Sequence, residues 1–129
     1  MNKKILLVED DVWLAELYQM VLSSTHREVI IAGTAVEALK VLDDHERIDL
    51  IILDMFLPEH NGIEFLHEAA SYTDTNVVPV IVLSSVSQSD LGMSEARWHE
   101  YGVVQYLYKP KTKPQDLLAA VKKQLVGSA

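Results

Sequence analysis

The chain has 129 residues, no cysteine, and 19 acidic against 11 basic residues, which gives a formal net charge of −8. This length suits one domain with a substantial core, so residues 1–129, with a core of about 4–126, are expected to form a single domain. The acidic balance disfavours direct binding to nucleic acid or to an anionic membrane. The lack of cysteine excludes disulfides and thiolate metal sites and is compatible with the cytoplasm, the expected location. No apolar run approaches the roughly 20 residues of a membrane helix, so no membrane span is expected.

Short apolar runs, rich in Val, Ile and Leu, recur along the chain with helical patterns between them. Because these runs do not alternate with polar residues, they are typical of strands covered on both faces. The predicted strands are Ile5–Val8, Val29–Ala32, Leu50–Leu53, Pro79–Leu83 and Val103–Leu107. The repeated strand–helix alternation predicts an α/β fold, with a doubly wound parallel sheet of five strands and helices on both faces.

Capping patterns predict where three of the helices begin. Thr34 followed by Glu37 has the spacing of a capping box. Asn61 followed by Glu64 has the same spacing. Pro114 suits the first turn of the last helix.

Polar side chains follow four of the five predicted strands. The first strand is followed by Glu9 and Asp10, the third by Asp54, the fourth by Ser84 and the fifth by Lys109. Because parallel strands end at the same edge of a sheet, these side chains are expected to converge. Crowded carboxylates resist ionisation unless a cation neutralises them, and a site of hard oxygen ligands suits Mg²⁺. The set predicts phosphoryl chemistry in which Asp54 attacks phosphorus while Ser84 and Lys109 meet the phosphoryl oxygens.

With these residues in this order, the chain resembles the receiver domain of two-component response regulators. The resemblance rests on the segments LLVEDD, LDMFLPEHNG, VLSS and YLYKP and covers the chain from Lys4 to about Val126. It implies a single receiver domain over 1–129 with the flavodoxin-like (βα)5 fold of the chemotaxis receivers. The strand order 2-1-3-4-5 is likewise implied by the resemblance.

The resemblance gives the acidic residues distinct roles. Asp54 would be the phosphoacceptor and also a ligand of Mg²⁺. Asp10 would bind the metal directly, whereas Glu9 would act on it, often through water. The main-chain carbonyl of Phe56 would complete the protein ligands.

The resemblance also implies a switch at the ends of the last two strands. Ser84 would hydrogen-bond the phosphoryl group on Asp54, and Lys109 would pair with it. Tyr106 matches the aromatic position that turns inward when the hydroxyl residue moves towards the phosphate. A cis peptide is expected before Pro110.

The function implied is a phosphorylation-dependent signalling switch rather than an enzyme, although the domain would promote its own phosphorylation and slow dephosphorylation. A sensor histidine kinase or a phosphotransfer protein would supply the phosphoryl group. The face formed by the fourth helix, fifth strand and fifth helix would then change and regulate an output domain or a partner protein, and phosphorylation could drive homodimerisation.

Two departures from the family pattern stand out. Phe56 is bulkier than the residues common at its position and would overhang the route of an attacking water, which predicts slow self-dephosphorylation. Trp98 and Tyr101 stand where receivers often carry small residues. The fourth helix, predicted at about Ser89 to Tyr101, contains Gly92 and has poor apolar spacing, so it is expected either to be displaced or to offer an aromatic contact face.

Other interpretations remain open. Taken singly, Asp10 or Asp11 could cap the first helix, Ser84 could cap the helix after it, and Lys109 could be a solvated charge. A phosphohydrolase of the haloacid dehalogenase type would carry a second Asp where Phe56 stands. A flavodoxin would need a hydroxyl- and glycine-rich phosphate loop in place of the acidic residues after the first strand. A receiver-like scaffold that binds partners without phosphorylation is the remaining alternative.

Overall fold

The computed structural model describes residues 4–44, 47–57, 60–71 and 78–126. Its central feature is a sheet of five strands: β1 (Lys4–Val8), β2 (Glu28–Ala32), β3 (Leu50–Asp54), β4 (Val80–Ser84) and β5 (Val103–Tyr108). The strands lie in the order β2-β1-β3-β4-β5, and each neighbouring pair is parallel. The predicted fold class and strand order are confirmed, and each strand boundary lies within one residue of its predicted position.

Among the described residues, four α-helices connect successive strands and a fifth follows the last strand. They are α1 (Val12–Leu22), α2 (Ala35–Asp43), α3 (Gly62–Ala70), α4 (Glu95–Glu100) and α5 (Pro114–Val126), with one-turn 3-10 helices at Ser23–Thr25, Gln88–Leu91 and Lys109–Lys111. Thr34 caps α2 and Asn61 caps α3, as their spacing predicts. Pro114 begins α5, as predicted. Within the described ranges, no helix is both long enough and apolar enough to cross a membrane.

The core lies on both faces of the sheet. Leu6 and Val8 of β1 pack into a cluster with residues of α2, α3 and α4. Ile5 and Leu7 of the same strand pack into a second cluster with α1 and α5. Successive side chains of a strand point to opposite faces, so a continuous apolar run serves both clusters. Burial of each such side chain contributes about 1.5–3 kcal/mol, which holds the central strands rigidly in register.

The fourth helix differs from its prediction over about Ser89 to Tyr101. The first part is the 3-10 turn Gln88–Leu91, which ends at Gly92 with a φ of +66°. Glycine adopts this left-handed conformation without the steric penalty that other residues meet. A new N-cap at Ser94 then starts α4, which has only six residues. The helix is therefore shortened at its N-terminal end rather than continuous.

A short antiparallel hairpin, Phe56–Leu57 paired with His60–Asn61, follows β3 directly and was not predicted. The N–H of Gly62 closes this turn by donating to the carbonyl of Met55. A Cβ atom on Gly62 would overlap the Met55 sulfur and lie 2.9 Å from the Cα and carbonyl oxygen of Met55. The close approach requires glycine and holds the chain immediately after Asp54.

Candidate functional site

The carboxyl ends of β1 and β3 bring three acidic side chains together. Glu9 and Asp10 follow β1 directly, and Asp54 is the last residue of β3. The two strands pair with Val8 opposite Leu53, which places the residues that follow side by side. One carboxylate oxygen from each of Glu9, Asp10 and Asp54 lies within 4.8 Å of the other two. These three sequence-predicted residues therefore converge on one point.

Lys109, which follows β5, lies in the same pocket. Its Nζ atom lies 2.9 Å from Oε1 of Glu9 and 3.2 Å from Oδ2 of Asp54. Glu9 is 2% exposed and Asp54 is 6% exposed, so water screens these ion pairs weakly. Asp10, in contrast, is exposed. One ammonium faces three carboxylates, and the excess negative charge attracts a cation.

Burial and neighbouring charges shift the pKa values in the pocket. Burial is the largest cause that raises the pKa of Glu9 from 4.5 to about 7, and the hydrogen bond with Asp54 adds to it, while Lys109 acts in the opposite direction. For Lys109, burial alone would lower the pKa, but the hydrogen bond with Glu9 and the charge of Asp54 outweigh burial and raise it. Lys109 is therefore charged at neutral pH, whereas ionisation of Glu9 costs free energy that a nearby cation would offset.

Asp54 is held from two sides. The N–H of Phe56 donates to Oδ1 of Asp54 at 3.2 Å, and the ammonium of Lys109 donates to Oδ2. The Phe56 side chain itself is 45% exposed beside this contact. The backbone turn after β3 thus fixes the carboxylate while leaving the phenyl ring at the surface.

Asp11, rather than Asp10, caps α1. The Oδ1 atom of Asp11 accepts the N–H of Leu14 at 3.2 Å. The N–H of Asp11 in turn donates to Oε2 of Glu9 at 3.3 Å. Of the two candidate caps, Asp11 is therefore the N-cap of α1, whereas Asp10 belongs to the acidic cluster. The sequence pattern alone could not separate two adjacent aspartates.

The donor set of the cluster fits a magnesium ion. Its carboxylate oxygens are hard ligands, and Mg²⁺ in proteins commonly takes one or two carboxylates and keeps several waters. Sulfur and imidazole ligands, which would favour zinc or copper, are not part of this cluster. The expectation that Glu9, Asp10 and Asp54 could hold a hard divalent cation is therefore consistent with their positions.

Ser84 and Tyr106 are connected through one residue. Ser84, at the end of β4, is fully buried, and its Oγ atom accepts the N–H of Val86 at 3.0 Å. The hydroxyl of Tyr106 donates to the carbonyl oxygen of Val86 at 2.6 Å. Burial raises the pKa of Tyr106, and a hydrogen bond with Ser84 partly offsets this rise. Sequence reasoning missed Val86, since a main-chain acceptor leaves no signal in a residue pattern.

The predicted cis peptide before Pro110 is corrected by the structure. No cis peptide bond occurs in the described part of the chain, which includes Lys109 and Pro110. Pro110 instead lies in the first turn of the 3-10 helix Lys109–Lys111. The trans form is the more stable one for a bond before proline by about 0.5–1 kcal/mol, and the fixed φ of proline suits a helical first turn.

Comparison with known proteins agrees with this fold and site. The sequence profile of the response regulator receiver domain matches residues 5–122, and the chain belongs to that family. It is a receiver domain of two-component signalling, a phosphoacceptor signalling module rather than a conventional enzyme. The acidic cluster of Glu9, Asp10 and Asp54 is typical of the Mg²⁺ site of receivers.

Individual relatives give the same result. The transcriptional regulatory protein MalR of Bacillus subtilis is 39% identical over 108 residues, which cover 82% of this chain and 43% of MalR. The regulatory protein VanR of Enterococcus faecium is 34% identical over 125 residues, which cover 97% of this chain and 51% of VanR. A CheY-like receiver domain protein of Methanospirillum hungatei has a TM-score of 0.83 at 28% identity, covering 98% of this chain and 96% of that one. This chain thus spans about half the length of MalR and VanR.

Proposed function

We propose that this chain is a phosphorylation-dependent switch in which Asp54 accepts a phosphoryl group from the phosphohistidine of a sensor kinase or phosphotransfer protein. The contact that carries the proposal is the pairing of Lys109 with both Asp54 and Glu9, at 3.2 Å and 2.9 Å. An oxygen of Asp54 forms the new bond to phosphorus as the bond from phosphorus to the donor imidazole breaks, and the imidazole leaves with the electron pair.

A bound Mg²⁺, held by Asp10 and Asp54 with Glu9 nearby and with the main-chain carbonyl of Phe56 as a further ligand, would neutralise charge on the phosphoryl oxygens. Lys109 stays protonated, since its pKa is raised, and would pair with a second oxygen of the phosphoryl group. The N–H of Phe56 keeps the attacking carboxylate in a fixed orientation. Repulsion between an incoming anion and the acidic pocket is thereby reduced.

Phosphorylation would bias the end of the sheet towards a second arrangement. The phosphoryl group carries about 1.5 to 2 negative charges, in place of the single charge of the Asp54 carboxylate, next to the buried Ser84 and the half-buried Lys109. The hydroxyl of Ser84 would donate to the phosphoryl group, and the segment through Val86 to Tyr106 would follow because hydrogen bonds join these residues. The face formed by α4, β5 and α5 would change as a result and alter the binding of a partner or an output domain.

The partners proposed are a kinase or phosphotransfer protein on one side and an output on the other. An open groove of about 380 Å³ lies between α1 and the turn that follows β5, beside Lys109. Its place next to Lys109 makes it the proposed contact surface for the phosphodonor protein. It is lined by Leu14, Leu17, Tyr18, Lys109, Pro110, Thr112 and Pro114. Two relatives are named as regulatory proteins, one of them transcriptional, so an output in gene regulation within the cytoplasm is proposed for the whole protein. Residues 1–129 would act as its single receiver domain, with homodimerisation as one possible response.

Intact mass after incubation with acetyl phosphate and Mg²⁺ tests the proposal. One added phosphoryl group is expected in the wild type and in Asp43→Asn, an exposed aspartate at the end of α2 that serves as the matched control. Asp54→Asn and a chelated wild-type sample should show none. Equal labelling of Asp54→Asn and the wild type, or labelling without a divalent cation, would contradict the proposal.

The alternative functions predict different outcomes. A receiver-like scaffold would bind its partner equally well with and without acetyl phosphate and would show no adduct. A phosphohydrolase would turn over acetyl phosphate continuously, but the residue two positions after Asp54 is Phe56, whose side chain cannot transfer a proton. Intact mass therefore separates the switch from the scaffold, and release of inorganic phosphate from acetyl phosphate, measured in the same samples, separates the switch from the phosphohydrolase.

A further inference from the structure

We propose that Trp98 is a positioning residue for phosphorylation, because it anchors Tyr106 and, through Tyr106, orients the segment that carries Ser84. The inference rests on the proposed function and adds a regulatory contact from the fourth helix to the same site. Trp98 belongs to α4 and lies outside the acidic pocket. The transfer of the phosphoryl group to Asp54 does not itself involve the side chain at position 98.

The aromatic contact is well defined. The rings of Trp98 and Tyr106 meet edge to face, with centroids 5.4 Å apart and an interplanar angle of 69°. This arrangement is favourable beyond the area that it buries. Trp98 is only 3% exposed and packs into the core cluster on this face of the sheet. Tyr106 is therefore held on one side by a side chain that the core itself keeps in place.

Two hydrogen bonds connect Tyr106 to Ser84, at the edge of the acidic pocket. The Tyr106 hydroxyl donates to the Val86 carbonyl at 2.6 Å, and the Val86 N–H donates to Ser84 Oγ at 3.0 Å. Ser84 Oγ accepts from the backbone, so its own proton is the one that it can donate, either to the Tyr106 hydroxyl, with which it shares a hydrogen bond, or to an anion on Asp54. β4 and β3 are neighbours, with Leu83 opposite Asp54, so Ser84 follows directly beside the phosphoacceptor. Loss of the anchor would let this hydroxyl group sample orientations that do not meet the phosphoryl group.

The indole N–H of Trp98 does not explain why a tryptophan is present, so the ring contact is the relevant one. Its Nε1 atom is buried and has no hydrogen-bond partner among the described residues. A buried donor without a partner is unfavourable, and a phenylalanine would avoid it. The ring, not the N–H, is therefore the group that acts on Tyr106, and Trp98→Phe is the matched control for removal of the ring.

A double-mutant cycle tests this inference. The rate of Asp54 phosphorylation by acetyl phosphate with Mg²⁺ is measured for the wild type, Trp98→Leu, Tyr106→Leu and the double variant. Trp98→Leu should slow phosphorylation about 3- to 10-fold in the wild-type background, the range that an aromatic pair of this kind can supply. In the Tyr106→Leu background the same substitution should change the rate less than twofold, because the group through which Trp98 acts is gone. Trp98→Phe should stay within about twofold of the wild type.

Equal slowing by Trp98→Leu in both backgrounds would mean that Trp98 acts only on stability, and this result would overturn the inference. An unchanged rate in Trp98→Leu would overturn it as well. Should Trp98→Leu fail to fold, Trp98→Met, unbranched and flexible, replaces it in the same cycle. A wild type that takes no phosphoryl group would instead contradict the proposed function.

In that case the aromatic contact is measured without phosphorylation. Trp13→Phe leaves Trp98 as the only tryptophan of the two in the chain. In this background, Tyr106→Leu should shift the emission of Trp98 to longer wavelength and increase its quenching by acrylamide. Unchanged emission and quenching would show that Tyr106 and Trp98 are not mutually anchored and would overturn the inference on structural grounds.

Discussion

Strand β3 contains two regions with opposite energetics. Residues Leu50–Leu53 are buried and apolar, and they stabilise the sheet by removing hydrocarbon from water. Asp54, the next residue of the same strand, is also buried but faces Glu9 and Asp10 with Lys109 as the cation in contact. The buried residues Leu50–Leu53 make the strand stable and rigid. This stability offsets the electrostatic repulsion among the carboxylates at the end of the strand.

Removing apolar volume from the strand body should give the largest loss of stability. Leu53→Ala should lower the free energy of unfolding by about 2–5 kcal/mol, because Leu53 is fully buried and its removal leaves a cavity. Urea denaturation measures this change. Val104→Ala, at a side chain that is 47% exposed on β5, is the control and should stay within about 0.5 kcal/mol of the wild type. Similar losses in both variants would contradict the comparison.

Adding a methyl group at Gly62 should disturb the junction between the two regions. A Cβ there would meet the sulfur and backbone of Met55, so Gly62→Ala should destabilise the fold by about 1–3 kcal/mol. It should also weaken Mg²⁺ binding, because the turn after Asp54 carries the Phe56 N–H contact. Gly92→Ala tests whether the effect is steric: nothing lies within 4 Å of its Cβ, so only the strain of its φ of +66° applies. Unaltered Mg²⁺ affinity in Gly62→Ala would argue against a role for this turn in the site.

Neutralising Glu9 should stabilise the protein in the absence of metal, with a defined pH dependence. The pKa of Glu9 is raised from 4.5 to about 7, so the folded state binds this proton more tightly than the unfolded state. The resulting stability is fully present below pH 4.5 and is lost as the pH rises through about 7. Glu9→Gln, which resembles the protonated form, should therefore match the wild type near pH 4.5 and exceed it by about 3 kcal/mol at pH 8. Thermal unfolding with a chelator present measures the difference, and a wild type that is at least as stable at pH 8 would refute the prediction.

Magnesium should reduce the electrostatic repulsion among the carboxylates at the end of β3 and so stabilise the protein. At a free Mg²⁺ concentration ten times the dissociation constant, linkage predicts a gain of about 1.4 kcal/mol for the wild type. Asp10→Asn should lose most of this gain, because the variant removes an exposed carboxylate of the cluster without disturbing the buried pair of Glu9 and Lys109. Thermal unfolding across a Mg²⁺ titration gives both values. Equal stabilisation of the two proteins would indicate that the ion binds elsewhere.

The smallest expected effect concerns the surface beside Asp54, the proposed phosphoacceptor. Phe56→Asn should speed the loss of the phosphoryl group by a few-fold, below about 1.4 kcal/mol in activation free energy, because a smaller polar side chain opens the route of an attacking water. The 45% exposure of Phe56 is compatible with a ring that covers this route. The decay of the phosphorylated mass after removal of acetyl phosphate measures the rate. A variant that decays no faster than the wild type would remove Phe56 from this explanation.

Sequence patterns were most informative where one physical rule decides the outcome. Apolar runs located the five strands to within one residue, and the pattern was clearest at β1, β3 and β4, which are covered on both faces and are apolar except at their ends. The cap at Thr34 followed from spacing alone. The fourth helix and the peptide before Pro110 were not predicted correctly, because short helices and proline isomers depend on surrounding packing more than on local sequence.

The sequence by itself determined the layered α/β fold and the candidate residues at the strand ends. Burial periodicity and the shared edge of parallel strands are sufficient for both. Only the tertiary structure decided that Asp11 caps α1 while Asp10 joins the cluster, and that Ser84 is linked to Trp98 through Val86 and Tyr106. These contacts join residues far apart in the chain or use main-chain atoms, and neither property is encoded in the spacing of residue types.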